Sequence, residues 1–487
     1  MSALIKKIAQ KIMVDYHRLS IVSNPDRLLT QDSVRSLLHQ LYNIVLIPGS
    51  PLDLRIHYEL EYKAHEDIRY IYITENIDAV LPDIRNDAYI CDINTSDLFP
   101  LFADKALLNG LAFEVLDELY NQVAKRRVSM AESKHLVDEI IKEQEKKAKQ
   151  TSEYCIKQLS SIMLDWAQPT KAMEAISDVV VNAVRNGVFS KITPALDEIN
   201  QSFQKWIDSS YFATLQSNHL MHPKSVNKIL PHLADKYERD DKVALLVVDG
   251  FTYWQYSILK EFLYKNGLKT DDNTTLSWLP SITMLSRQAI FRGGVPVAEY
   301  KQSPDNEKKL WQAFWQQKGY SGYEIQYISD KDEFAINEGV KRLAIVTVEM
   351  DEKMHSSTDN RDLMSLTENW CPRIADIINT VLSTGFKLYL TTDHGSTLST
   401  GWRALTPVES VFLFKDGSRG KRHLIYNNQA ELERFYNESP LSILKHDNWL
   451  TIRDARCFAK EGETMITHGG SHFTEVVIPF INIFKQS

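Results

Sequence analysis

The amino-acid sequence predicts an α/β protein. Its C-terminal half reads as a mainly parallel sheet flanked by helices, preceded by a small N-terminal α/β domain and a helical middle region. Three observations carry this prediction. Residues 243–248, Val-Ala-Leu-Leu-Val-Val, are a short unbroken apolar run and residues 342–348 read as a second strand around Leu-Ala-Ile-Val, the pattern of strands buried on both faces. From 243 onward such runs alternate with helical patterns, as parallel strands joined by crossover helices require. Between 103 and 240 the strand signal fades, few glycines interrupt the chain, and a helical stripe begins at Leu107, Leu111, Val115 and Leu116.

The chain has 487 residues, too many for one average domain. The patterns divide it into 1–102, 103–240 and 241–487. With 43% hydrophobic and 25% charged residues it has the composition of a soluble globular protein. A net charge of −8 argues against nonspecific nucleic-acid binding by bulk charge but leaves room for a local basic groove. The four cysteines, Cys91, Cys155, Cys371 and Cys457, form no CxxC pair and read as reduced thiols. No apolar run approaches the roughly 20 residues of a membrane helix, and the N-terminus mixes Lys6, Lys7 and Lys11 with apolar residues at helical spacing. The expected location is the cytoplasm, away from membrane.

In chain order, an amphipathic helix over 1–19 opens the molecule, and a second, capped by Thr30, covers 31–41. Strands follow at 44–47, 68–74 and 89–91, with Pro48-Gly49-Ser50-Pro51 as a turn into a helix. Residues 133–149 mix Glu and Lys at three- and four-residue spacings, the mark of a solvated helix face. Lys125-Arg126-Arg127 suits a helix C-terminus. After the polar stretch 236–242 comes the strand 243–248, then a helix over 252–266 and a strand over 274–279. A helix over 284–291 stops at Gly293-Gly294. Helix 305–318, strands 324–328 and 342–348, helix 368–383, and strands 386–390, 411–414 and 476–483 complete the pattern.

The chemistry-bearing residues sit at or just beyond strand ends, where open α/β sheets keep their ligand sites. Asp249-Gly250 ends the strand 243–248; the aspartate there is a ligand or a helix cap. Ser281, Thr283 and Ser286 cluster where a helix begins, with Arg287 beside them. A hydroxyl there is either a cap or a nucleophile facing the positive end of the helix. Asp351 and His355 stand four apart, a spacing that puts both on one helical face and suits two ligands to one metal. Asp393-His394-Gly395 follows the strand 386–390, and His468-Gly469-Gly470 precedes the last strand. Asp249, Thr283, Asp351, His355, Asp393, His394 and His468 together make a full ligand set for two divalent ions.

The order of these motifs resembles the alkaline phosphatase superfamily, and within it the PglZ-type domain. The resemblance rests on Val-Val-Asp249-Gly250, Pro-Ser-Ile-Thr283, the run 286–294 (Ser-Arg-Gln-Ala-Ile-Phe-Arg-Gly-Gly), Asp351-x-x-x-His355, Asp393-His394-Gly395, His468-Gly-Gly and the run 475–481. It covers about 243–487. It implies that Asp249, Asp393 and His394 hold one metal with Thr283 as the nucleophile, while Asp351, His355 and His468 hold the other. Zinc is the implied ion, with manganese or magnesium as alternatives. Related diesterase branches carry an asparagine three residues after the nucleophile; here that residue is Ser286, and Arg287 either supplies the missing phosphate contact or pairs with a structural carboxylate. His472 is a spare ligand, a proton donor or neither.

Similar proteins belong to prokaryotic phage-defence systems of the BREX kind. The resemblance therefore implies a metal-dependent phosphodiesterase or nuclease acting on nucleic acid or oligonucleotides. Against the net charge of −8, a groove lined by Arg287, Arg292 and Arg403 would attract the phosphate backbone. A phosphomonoesterase acting on a small substrate and a non-catalytic, metal-bound scaffold in a defence complex are the alternatives. The N-terminal half would engage other defence-system proteins. Its first domain also looks loosely receiver-like, although no acidic pair precedes the strand at 44–47.

Overall fold

The computed structural model describes residues 2–63, 68–217, 222–297, 299–330, 332–357, 359–415 and 417–485. It forms two compact units, Met1–Gln150 and Thr151–Ser487.

The first unit contains a four-stranded parallel sheet of β1 (Leu19–Ser23), β2 (Ile44–Pro48), β3 (Arg69–Ile73) and β4 (Ala88–Asp92), in the order β2-β3-β1-β4. Receiver-type sheets run 2-1-3-4-5 instead, so the receiver-like expectation does not describe this topology. The opening helix spans Ala3–Ile12, with Ser2 accepting from the Ile5 N–H as its cap, and buries Leu4, Ile5, Ile8 and Ile12. It ends earlier than the expected 1–19 because Met13 turns extended, and residues 19–23 form an interior strand instead. The second helix, Asp32–Tyr42, follows Gln31 and has no Thr30 cap; the Thr30 hydroxyl donates back to the Arg27 carbonyl at 2.8 Å. The 48–51 turn leads into helix Pro51–His57 through a Ser50–Asp53 capping box.

The division at 150/151 falls within the stretch 103–240 that the sequence reads as a helical region. Phe113, Leu116 and Leu119 share a core with Leu4, Ile5 and Ile8, whereas Val226, Ile229 and Leu230 share one with Val243, Leu245 and Val247. An amphipathic helix must bury its stripe against something. The middle helices therefore divide between the two units rather than form a domain of their own.

The second unit is built on β5 (Val243–Val248), β6 (Leu268–Leu276), β7 (Ile325–Ser329), β8 (Arg342–Thr347), β9 (Lys387–Thr391) and β16 (Val477–Lys485), in the order β6-β16-β9-β5-β8-β7. The pairs β5–β8, β5–β9 and β7–β8 are parallel, and β16 runs antiparallel to both its neighbours. The sheet is thus mainly parallel, and the fold is α/β. Register aligns Val248 with Thr347 and Val247 with Thr391, so the carboxyl ends of β5, β8 and β9 lie side by side. All six residues of β5 are buried, which explains their unbroken apolar run. The edge strand β6 is Leu-Lys-Thr-Asp-Asp-Asn-Thr-Thr-Leu, and its charged, polar sequence protects an open edge from pairing with other chains.

Between β9 and β16 the chain forms two small sheets. One joins β10 (Thr397–Gly401), β14 (Arg456–Cys457) and β15 (Thr464–Thr467). The other joins β11 (His423–Ile425), β12 (Ile443–His446) and β13 (Trp449–Ile452). The strand expected at 411–414 does not form. Thr406 and Glu409 make a capping box that starts helix Pro407–Val411, and Leu413 keeps only an isolated bridge to Tyr426. Among the described residues no helix is long and apolar enough to cross a membrane.

Candidate metal centre and active site

The carboxyl edge of the central sheet brings all seven expected ligands together. Asp249 leaves β5 and is buried. It does not cap the next helix, because Thr252 takes that position with Gln255 in a capping box. Gly250, at φ 68°, makes the turn; a Cβ there would come within 3.2 Å of Asp351 Oδ1. One Asp249 oxygen, Oδ2, accepts from Arg287 Nη1 at 2.7 Å. The other, Oδ1, faces Thr283 Oγ1 at 3.5 Å and His394 Nε2 at 3.7 Å.

Thr283 is the first residue of helix Thr283–Arg292, whose N-cap position is Ile282 without any side-chain cap. Neither Ser281 nor Thr283 caps this helix. The Thr283 hydroxyl stands 3.1 Å from His394 Nε2. His394 Nδ1 lies 2.9 Å from the Gly395 carbonyl, which can only accept, so in the neutral ring the proton sits on Nδ1 and Nε2 is the acceptor. The Gly395 backbone packs so closely that a Cβ would fall 2.0 Å from the Thr474 carbonyl oxygen, so the loop carrying Asp393 and His394 closes only around glycine. Asp393 Oδ1 accepts from the N–H groups of Gly250 at 3.2 Å and His394 at 2.9 Å, while Oδ2 lies 3.8 Å from His394 Nε2.

Asp351 and His355 lie on helix Glu349–Ser356, directly after β8, with Asp351 Oδ1 3.4 Å from His355 Nε2 and 3.9 Å from His468 Nε2. His468 follows β15. Its Nδ1 donates to the Ser281 carbonyl at 3.0 Å, which turns the bare Nε2 toward Asp351. The rings of His394 and His468 stack at 4.0 Å. Two sets of ligand atoms lie within 4.8 Å of one another: Asp351, His355 and His468, and Asp249, Asp351 and His394. Asp351 belongs to both, so it stands between the two expected metal positions.

The residues fit metal ions on their own evidence. Asp351 Oδ1, His355 Nε2 and Asp393 Oδ2 are buried atoms without a hydrogen-bond partner among the described residues, and buried polar atoms are seldom left so. The donors, carboxylates and neutral imidazoles, are those that zinc and similar ions take. The electrostatics agree. Burial, together with the charges of Asp393 and Asp351, pushes the Asp249 carboxyl well above its ordinary range, and burial raises Asp393. Burial also works to raise Asp351, but His355, His468 and His394 outweigh it and hold that carboxyl at about 2. Burial and the neighbouring His394 push His468 well below the ordinary imidazole range, keeping it neutral as a ligand must be.

The residues around the ligands have supporting roles. Arg287, buried, pairs with Asp249 and with the fully buried Glu307, at 2.7 Å in each case. Its two partners are thus an expected metal ligand and a buried structural carboxylate. Ser286 Oγ accepts from the Trp278 N–H at 3.0 Å and is likewise committed to structure. His472 caps helix Phe473–Val476 by accepting from the Thr474 N–H. Of the three arginines expected in a groove, only Arg287 lines the cleft; Arg403 pairs with Glu409 at 2.6 Å. The cleft measures about 350 Å³ and holds Thr283, Asp249, Asp351 and His468.

Two residues without an expected role organise the centre. Arg422 and Glu475, both fully buried, pair at 2.7 Å. Glu475 also accepts from Ser281 Oγ at 2.8 Å, Thr397 Oγ1 at 2.8 Å and the Gly470 N–H at 2.6 Å. Through Ser281 this network sets both the residue that orients His468 and the segment that leads to Thr283. No local signal marks the pair, because its members stand 53 residues apart.

The BREX system PglZ alkaline phosphatase-like domain matches residues 228–483. No curated protein matches the chain. Among solved structures, murine ectonucleotide pyrophosphatase/phosphodiesterase 5 aligns at 13% identity over 50% of this chain and 88% of its own, with a TM-score of 0.36. Phosphonoacetate hydrolase from Sinorhizobium meliloti 1021, in complex with phosphonoacetate, aligns at 12% identity over 50% of this chain and 89% of its own, with a TM-score of 0.34.

Proposed function

This chain belongs to the BREX system PglZ alkaline phosphatase-like family and is a phosphoric ester hydrolase; from that premise we propose that it hydrolyses phosphodiesters of nucleic acid or oligonucleotides, with Thr283 as the nucleophile at a two-metal centre. The observation that carries the reading is the Thr283 hydroxyl, 3.1 Å from His394 Nε2 at the start of a helix without a side-chain cap. Asp249, Asp393 and His394, with Thr283, would hold one ion, and Asp351, His355 and His468 the other. Zinc is the first choice, manganese or magnesium the alternatives. When bound, the ions supply Lewis-acid polarisation and lower the pKa of a neighbouring hydroxyl.

The chain's own residues do the rest. The Thr283 oxygen bonds to phosphorus as the bond to the leaving alcohol breaks, and the hydroxyl proton ends on that alcohol. Water then opens the phosphothreonine ester, returning a proton to Thr283 and releasing a phosphate monoester. The uncapped N–H groups at the start of helix Thr283–Arg292 present positive potential to the phosphoryl oxygens. Arg287 holds Asp249 by Oδ2 and so keeps Oδ1 directed at Thr283.

Zinc-loaded protein should cleave bis-p-nitrophenyl phosphate faster than p-nitrophenyl phosphate, and a chelator should stop both reactions. Equal or reversed rates would remove the diesterase reading. Thr283→Ala should abolish turnover with both metals retained, and full activity in that variant would overturn the nucleophile. One observation favours a monoesterase instead: Ser286, at the position where related diesterases place a phosphate-binding asparagine, is occupied with Trp278. The same pair of substrates decides between the two. The setting we propose is prokaryotic phage defence in the cytoplasm, with the unit Met1–Gln150 engaging other proteins of the system.

A further inference from the structure

We propose that Arg419 is the receptor for a second phosphate of the substrate, one that flanks the phosphoryl group reacting at Thr283. The proposal rests on the reading that Thr283 and the paired metals hold the reacting phosphoryl group. Arg287, the other guanidinium in the cleft, is buried and paired with Asp249 and Glu307. Arg419 lines the same cleft and is exposed, and among the described residues no ion pair or hydrogen bond engages its side chain. Asp330, Asp351 and Glu352 line the cleft too, yet Arg419 pairs with none of them. Asp330 instead accepts from the Val348 N–H at 2.6 Å.

The placement of Arg419 is built rather than incidental. The next residue, Gly420, packs against His468 so tightly that a Cβ would come 2.7 Å from the His468 carbonyl oxygen and 3.2 Å from its ring Cε1. Only glycine allows this approach, and it fastens the loop to a residue of the ligand set. Ser418 Oγ accepts from the Gly420 N–H at 3.0 Å, and Thr467 Oγ1 accepts from the Lys421 N–H at 3.0 Å, so both sides of the contact are tied down. These contacts fix the backbone that carries Arg419, and its guanidinium fork matches phosphate oxygens with two parallel hydrogen bonds. At about 350 Å³ the cleft has room beyond the reacting phosphoryl group. The second phosphate would be diester-linked, as in an oligonucleotide, or anhydride-linked, as in a nucleoside diphosphate.

The test is calorimetric titration of zinc-loaded Thr283→Ala protein, full length, with TpTpT against TpT and with ADP against AMP. The member of one pair bearing the second phosphate should bind roughly tenfold tighter, the usual effect of one charge-assisted contact. Arg419→Ala in the same background should bring that ratio to about one, and Arg419→Lys should leave it between. Discrimination in the TpTpT pair assigns a diester-linked phosphate, and discrimination only in the ADP pair an anhydride-linked one. Ratios near one in both pairs, or a ratio that Arg419→Ala leaves unchanged, overturn the proposal. Should wild-type protein cleave no diester while the Arg419-dependent ratio persists, the diesterase reading fails and this one stands.

Discussion

Replacing Glu475 by glutamine tests whether the buried ion pair behind the site positions the metal ligands or only fills space. The substitution keeps shape and volume. A carboxylate, however, accepts on both oxygens, and Glu475 uses both: Oε1 for Arg422 Nε and Thr397 Oγ1, Oε2 for Ser281 Oγ and the Gly470 N–H. A glutamine amide accepts on one side only. Either its NH2 meets the Arg422 guanidinium or it meets the Gly470 N–H, so one donor faces another in a fully buried place. Breaking a buried pair by removing one charge costs about 3–5 kcal/mol. All nine tryptophans lie beyond residue 150, so fluorescence-detected urea unfolding reads the second unit alone. The same change should weaken metal binding about 10- to 100-fold, because Ser281 presents the carbonyl that orients His468. A loss of stability below about 1 kcal/mol would refute the pairing argument. Full loss of stability with unaltered metal affinity would refute the link through Ser281.

Three further outcomes follow from the same contacts. Arg287→Met leaves Asp249 and Glu307 buried without their partner and should destabilise metal-free protein by about 3–5 kcal/mol in urea unfolding, with zinc restoring part of the loss through Asp249. Gly395→Ala drives a methyl group onto the Thr474 carbonyl, so calorimetry should find fewer than two zinc ions bound. His472→Asn retains a capping side chain on helix Phe473–Val476 and should cost no more than about 2 kcal/mol with metal content unchanged; lost metal would make His472 a ligand after all.

Legibility from sequence followed the range of the interactions. Asp249, Asp393 and His394 were readable because each ends a buried apolar run, and parallel topology brings such ends to one edge. Strand β1 was not readable: five residues, Leu-Ser-Ile-Val-Ser, sit just beyond an amphipathic helix and blur its end. The small sheets between β9 and β16 left no pattern either. Their strands have two to five residues, and Thr397 pairs with Thr467 across seventy positions. Arg422 illustrates the general difficulty. Within Lys421-Arg422-His423 it looks like solvated charge, and only the fold reveals a fully buried guanidinium. The strand expected at 411–414 failed for the opposite reason, since the Thr406–Glu409 capping box is a local signal that outweighs a short apolar run.

The balance of charge at the sheet edge explains why stability and activity should depend on the same ions. Asp249, Asp351 and Asp393 converge where Arg287 is the one buried guanidinium in the cleft, and Glu307 already takes part of its charge. His468, kept neutral by burial and by His394, offers no compensation. The raised Asp249 and Asp393 carboxyls are what such a deficit produces in a chain without ions. Proteins seldom keep buried carboxylates this close unless cations join them. Divalent ions held by these residues would supply that charge and would give the orphaned oxygens and imidazole nitrogen a partner. Binding to the folded state alone must then raise stability with free metal concentration. The urea midpoint of the second unit should therefore climb with zinc, and the increment should shrink in Asp351→Asn, which removes the carboxylate shared by both ligand groups. An equal increment in wild type and Asp351→Asn would mean that the ions bind elsewhere.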